Sequence, residues 1–178
     1  MRVERLEIRG LAVIGLMVLM VGCGNKAPQI PSQRKGQAPE ADSATLAMMA
    51  LNAQLAQTAD QAVMEAAQAQ EEAYALYEGN IWMHIVDPGD MESAPLQAGQ
   101  ACIAHMRIYT LDNRLLEDTE GTYMLGKNEL PSAVEWMVYE LHHGAQARLF
   151  VPWYMAFGAQ GNTHVPPYEN VRIHLEIR

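Results

Sequence analysis

The 178 residues carry 12 Lys and Arg against 21 Asp and Glu, a formal net charge of −9, with 49% hydrophobic and 19% charged residues. That length suits one small domain plus extra elements, and the composition excludes a chain disordered throughout or a collagen-like repeat. The sequence has no basic run, which excludes nucleic acid as a partner, since phosphate binding needs clustered cations.

Residues 1–22 read as an export signal. Arg2, Arg5 and Arg9 precede an uncharged apolar run of 12 residues, Gly10 to Val21. A bilayer takes about 20 residues to span, so the run suits the hydrophobic region of a secretory signal peptide, although Glu4 and Glu7 dilute its positive start. It ends at Met20-Val21-Gly22-Cys23, which resembles the lipobox of bacterial lipoproteins. The resemblance implies cleavage before Cys23, a lipid thioether on its sulfur, and a protein anchored in a bacterial cell envelope, on the periplasmic side or the cell surface. The alternative is an ordinary signal peptide or short membrane anchor that ends in a cysteine. Cleavage removes three Arg and two Glu and takes the net charge from −9 to −10. Lipid chains, and not a basic patch, would then hold the protein to a membrane.

Residues 23–40 form the next segment. They contain Pro28, Pro31 and Pro39 and no aromatic side chain, the composition of an extended, solvated tether. Residues 41–78 are rich in Ala, Leu, Met, Gln and Glu, and no Gly or Pro occurs from Ala41 to Tyr77, which predicts one long helix with Asp42 or Ser43 as N-cap and Gly79-Asn80 as stop. At about 1.5 Å per residue it would run roughly 50 Å. Ala recurs at every third position from 41 to 62, a stripe that winds around a helix and marks no single buried face. The larger apolar residues make a broken seam, so the helix is expected to be a spacer or a homodimerisation arm.

From Gly79 to Arg178 the texture changes to short apolar or alternating runs at 81–86, 99–111, 122–125, 148–152 and 171–178, punctuated by turn residues such as Asp87-Pro88-Gly89 and Asp112-Asn113. These are strand signals. Between them Ser132-Ala133-Val134-Glu135 matches a capping box that opens one short helix. About five strands and one short helix, preceded by the long one, give an α+β fold with an antiparallel sheet wrapped on the short helix. Cys102, in an apolar strand, reads as a buried small hydrophobe.

The domain over 79–178 also resembles a known family. Gly99-Gln100, Ile103-Ala104-His105, Leu111-Asp112-Asn113, Met124-Leu125-Gly126-Lys127, Glu129-Leu130-Pro131, the run Gly144 to Pro152, Ala156-Phe157-Gly158, Gly161 and Val165-Pro166-Pro167 are together similar to FKBP-type peptidyl-prolyl cis-trans isomerases. The preceding helix, Trp82 and the lipobox are similar to lipoprotein members from bacteria with gliding motility. The resemblance implies an FKBP-like fold and proline-containing polypeptides as substrates.

Carried over by position, it implies that Leu130, Pro131 and Val134 form a pocket floor, with Met106, Leu116 and Ile173 where the family commonly has aromatic rings. Phe157 stands where the family has a Tyr whose hydroxyl binds a substrate carbonyl, and Glu117 where it has an Asp beside the twisting amide. Phe157 has no donor and Glu117 is one methylene longer, so weak turnover is expected. The reaction itself makes few demands. The amide barrier is about 18–20 kcal/mol, and an apolar site that desolvates the bond lowers it without nucleophile, metal or cofactor. The six histidines are scattered, and no zinc site is expected from them.

Without the resemblance, Leu116, Leu130, Val134 and Ile173 would read as core and Glu117 as a solvated strand-end charge. Three functions follow: a lipid-anchored isomerase assisting the folding of envelope proteins, an FKBP-fold chaperone or binding module with little catalysis, or a structural lipoprotein of an envelope assembly.

Overall fold

The computed structural model describes residues 42–178. The expected signal peptide, the Cys23 anchor and the tether lie outside the described residues.

Helix α1 spans Ser43–Gln68. Asp42 caps it, its carboxylate accepting the Thr45 N–H at 2.7 Å. The first turns project with Leu46, Met48, Met49 and Leu51 about half exposed, and only Ala59, Val63 and Ala67 are buried. These lie at i, i+4 and i+8, one face of the helix, and only Ala59 among them belongs to the every-third alanine stripe.

The expected helix over 41–78 is therefore too long. Its last residues leave the helix because they have sheet partners. Ala75–Tyr77 forms strand β1, antiparallel to Ile81–Asp87 (β2), with Leu76 opposite Trp82. Before it, Glu72 pairs with Arg148 at 2.6 Å and Tyr74 packs edge-on against Phe150. Helix propensity in Ala69–Tyr77 yields to these tertiary contacts.

The remaining strands are β3 (Ala101–Thr110), β4 (Leu115–Met124), β5 (Gln146–Val151) and β6 (Val171–Ile177), in the sheet order β1-β2-β5-β6-β3-β4, antiparallel throughout. The sheet thus has six strands, not about five, and β4 runs well past the expected 122–125. Charges at Glu117, Asp118 and Glu120 mask its periodicity in the sequence. As an edge strand it keeps one side in water, where charges are tolerated and discourage further pairing.

Alternation along β3 and β6 sends Cys102, Ala104, Met106 and Ile108, and Val171, Ile173, Leu175 and Ile177, to one face, where all are buried. Helix α2 (Ser132–Met137) packs there through Ala133, Val134 and Met137. Burial pushes the Cys102 thiol pKa up, as fits a core residue.

The expected capping box at α2 does not form. Pro131 is the N-cap residue, without a side-chain capping bond. Glu135, 6% exposed, turns inward and accepts the Gly126 N–H and the Tyr139 hydroxyl instead.

The opposite sheet face carries two cross-strand rows: Trp82, Phe150, Arg172 and Tyr109, then His84, Arg148, His174 and Arg107. α1 covers the first row at Phe150 and Trp82, where Val63 and Ala67 complete a second small core. Helix and sheet fall in one compact unit.

Candidate active site

The candidate site lies where β4 and the β5–β6 loop meet the rim of the main core. β3 and β4 pair in regular register from Ala101 opposite Met124 to Ile108 opposite Glu117, then shift so that Tyr109 faces Leu115. Leu116 is the extra residue of a β-bulge. Regular alternation would send Leu116 and Glu117 to opposite faces, but the bulge leaves both half-buried. Leu116 packs against the main core.

Phe157 sits in the loop over 152–170 and also packs, half-buried, against that core. The loop is held by its own backbone: Gly158 N–H donates to Trp153 O at 2.8 Å, Gly161 N–H to Phe157 O at 3.1 Å, and Tyr168 N–H to Gly158 O at 3.2 Å. At its ends, the Asn170 side chain accepts the Trp153 N–H at 2.9 Å. Gly161 has φ +64°, and a Cβ there would overlap the Val165 carbonyl oxygen. Only glycine fits this turn.

Met106, Leu130, Val134 and Ile173 belong to the main core of the domain, and Leu116 and Phe157 pack against that core. Pro131 stands beside it as the half-exposed cap of α2. Exposure divides the group. Met106 and Leu130 keep 4% and 6% of their surface, Val134 and Ile173 none. Leu116, Pro131 and Phe157 keep more of their surface in water than the other four.

Two side chains were not singled out from the sequence, one at the far end of β4 from Leu116 and one at this rim. Tyr123 lies opposite Cys102, half-buried against the same core, and its ring covers Gly121, whose Cβ would come within 3.1 Å of it. The inward parity of β4 would have revealed it had the strand been recognised from Leu115 onward. Asn162 donates from its side-chain amide to Glu117 Oε2 at 3.1 Å. No sequence signal foretells that contact, which joins residues 45 apart.

The loop is also tied to α1. The Tyr154 hydroxyl donates to the Asp60 carboxylate and accepts from Asn80 Nδ2 at 3.2 Å. Burial, then the Asp60 carboxylate, pushes the Tyr154 pKa up to about 12.

No family model and no curated protein matches the chain. Solved structures do. The N-terminal domain of FKBP42 from Arabidopsis thaliana is 24% identical, covering 61% of this chain and 91% of that one, with a TM-score of 0.52. A peptidyl-prolyl cis-trans isomerase from Pseudomonas syringae pv. tomato is 19% identical, covering 70% of this chain and 92% of that one, with a TM-score of 0.57. Likeness at this identity speaks to architecture. The chain has an FKBP-like fold, an antiparallel six-stranded sheet packed on a short helix and preceded by a long one.

Proposed function

We propose that this protein is a peptidyl-prolyl cis-trans isomerase of low turnover, held in a bacterial cell envelope by lipid on Cys23 and acting on proline-containing segments of envelope proteins. The observation that supports the reading is the bulge that turns both Leu116 and Glu117 inward, where Asn162 of the Phe157 loop bonds Glu117, in a fold shared with a solved isomerase.

A proline ring seated against Leu116 and Phe157 would lose water from the adjacent amide. Desolvation favours the twisted, less polar transition state over the planar amide. Glu117 would supply a fixed negative charge near the rotating bond. Phe157 has no hydroxyl to hold a substrate carbonyl, and four of the six apolar residues have almost no free surface, so binding is shallow and turnover slow.

The same two observations support a second reading, a peptide-binding chaperone of this fold with little catalysis. A protease-coupled assay on an Ala-Leu-Pro-Phe peptide separates them. Measurable but slow turnover supports the isomerase, whereas binding without turnover supports the chaperone. Turnover equal to an ordinary FKBP would overturn the assignment of weakness. Mass spectrometry of the membrane-extracted protein tests the anchor: a diacylglyceryl-modified Cys23 N-terminus is expected, and an unmodified one refutes it.

A further inference from the structure

We propose that Asn162 is a positioning residue for Glu117, locking its carboxylate to the loop that carries Phe157. This rests on the isomerase reading for its effect on rate, although not for the contact itself.

The orientation of Asn162 is determined by its partners. Its Oδ1 accepts the backbone N–H of His164 at 2.7 Å and of Val165 at 2.6 Å. An amide flipped end for end would face two donors with a third, so Nδ2 is the end left for Glu117 Oε2 at 3.1 Å. Asn162 N–H donates to Val165 O at 2.9 Å, which closes the turn. Gly161, immediately before it, admits no side chain and donates to Phe157 O. A short chain of bonds therefore runs from Phe157 through Gly161 and Asn162 to Glu117.

The alternatives at the rim are unable to do this work. Met106 and Phe157 have no hydrogen-bond donor in their side chains, and Leu116 is aliphatic. Among the described residues no cation lies within ion-pair distance of Glu117. Where a glutamate is one methylene longer than an aspartate it has one more torsion to order, and a neutral amide does so without cancelling its charge.

The test uses the full chain and the substitution Asn162→Asp. It keeps Oδ1 and the turn but replaces the donor with a carboxylate facing Glu117. In the wild-type background N162D should lower kcat by about tenfold, the worth of one charge-assisted hydrogen bond, with KM changed less than about twofold. In an E117Q background the same substitution should leave kcat unchanged, and the E117Q/N162D pair should recover the melting temperature that N162D loses, because the glutamine amide can donate to the new carboxylate. A purely structural role for Asn162 predicts an equal loss of kcat in both backgrounds and would overturn the proposal. If wild-type turnover is absent the isomerase reading fails, and the melting temperatures alone then decide: recovery in the pair upholds the Asn162–Glu117 lock, and additive losses reject it.

Discussion

The Tyr154 hydroxyl donates to the Asp60 carboxylate, joining the middle of α1 to the loop that carries Phe157. A helix expected to act as a spacer or a dimerisation arm is thereby built into the support of the candidate site. Tyr154→Phe removes the donor and leaves a half-buried carboxylate with one partner fewer. A loss of about 1–2 kcal/mol in urea unfolding is expected, and an unchanged midpoint would show that the contact contributes nothing.

Phe150 is the centre of the second small core, 1% exposed beneath Val63 and Ala67. Phe150→Ala should cost about 3–5 kcal/mol, the transfer term plus a cavity that α1 cannot collapse into. Amide hydrogen exchange should show α1 losing protection first. Equal protection along α1 in the variant and the wild type would mean that the helix does not depend on this contact.

His174 carries the pH prediction. Burial, then the nearby guanidinium groups of Arg172, Arg148 and Arg107, lower its pKa from 6.5 to about 4. Between those values the unfolded chain binds more protons than the folded one. Stability from this group is therefore present above about 6.5 and is lost as pH falls through the window to about 4. Discounted for its partial solvent contact, the effect is about 1–2 kcal/mol. It should appear as a falling thermal midpoint between those pH values that His174→Gln makes shallower, and an imidazole titration near 6.5 by NMR would contradict it.

Gly161→Ala tests the loop. With φ at +64° and the Val165 carbonyl in the way, the substitution should lower stability by about 1–3 kcal/mol. In a peptide-binding titration it should weaken affinity more than an exposed change such as Thr163→Ala, and equal effects would detach the turn from the site.

Phe157→Tyr should raise kcat/KM in the protease-coupled assay by about three- to tenfold, the worth of one added neutral hydrogen bond of about 1 kcal/mol. No gain would mean that the missing hydroxyl does not limit the reaction.

Much of the architecture was legible in the sequence because it is local. The Asp42 cap, the alternation of β3 and β6 and the turn at Asp112-Asn113 depend on neighbours a few residues away. The burial of Leu130, Val134 and Ile173 was also legible, since apolar residues of these elements must be buried in any packing of them.

What the sequence could not determine involves contacts between distant residues. The helix ends at Gln68 because Ala75–Tyr77 finds β2 as a partner. Glu135 abandons the expected capping box for the Gly126 N–H. A one-residue shift in pairing against β3 turns Leu116 and Glu117 toward the same rim. By itself the sequence determined which stretches are apolar, capped or turning, because propensity and periodicity act over a few residues. Only the tertiary structure decided that Asn162 meets Glu117 and that α1 meets Tyr154, because such contacts depend on where the chain returns to itself.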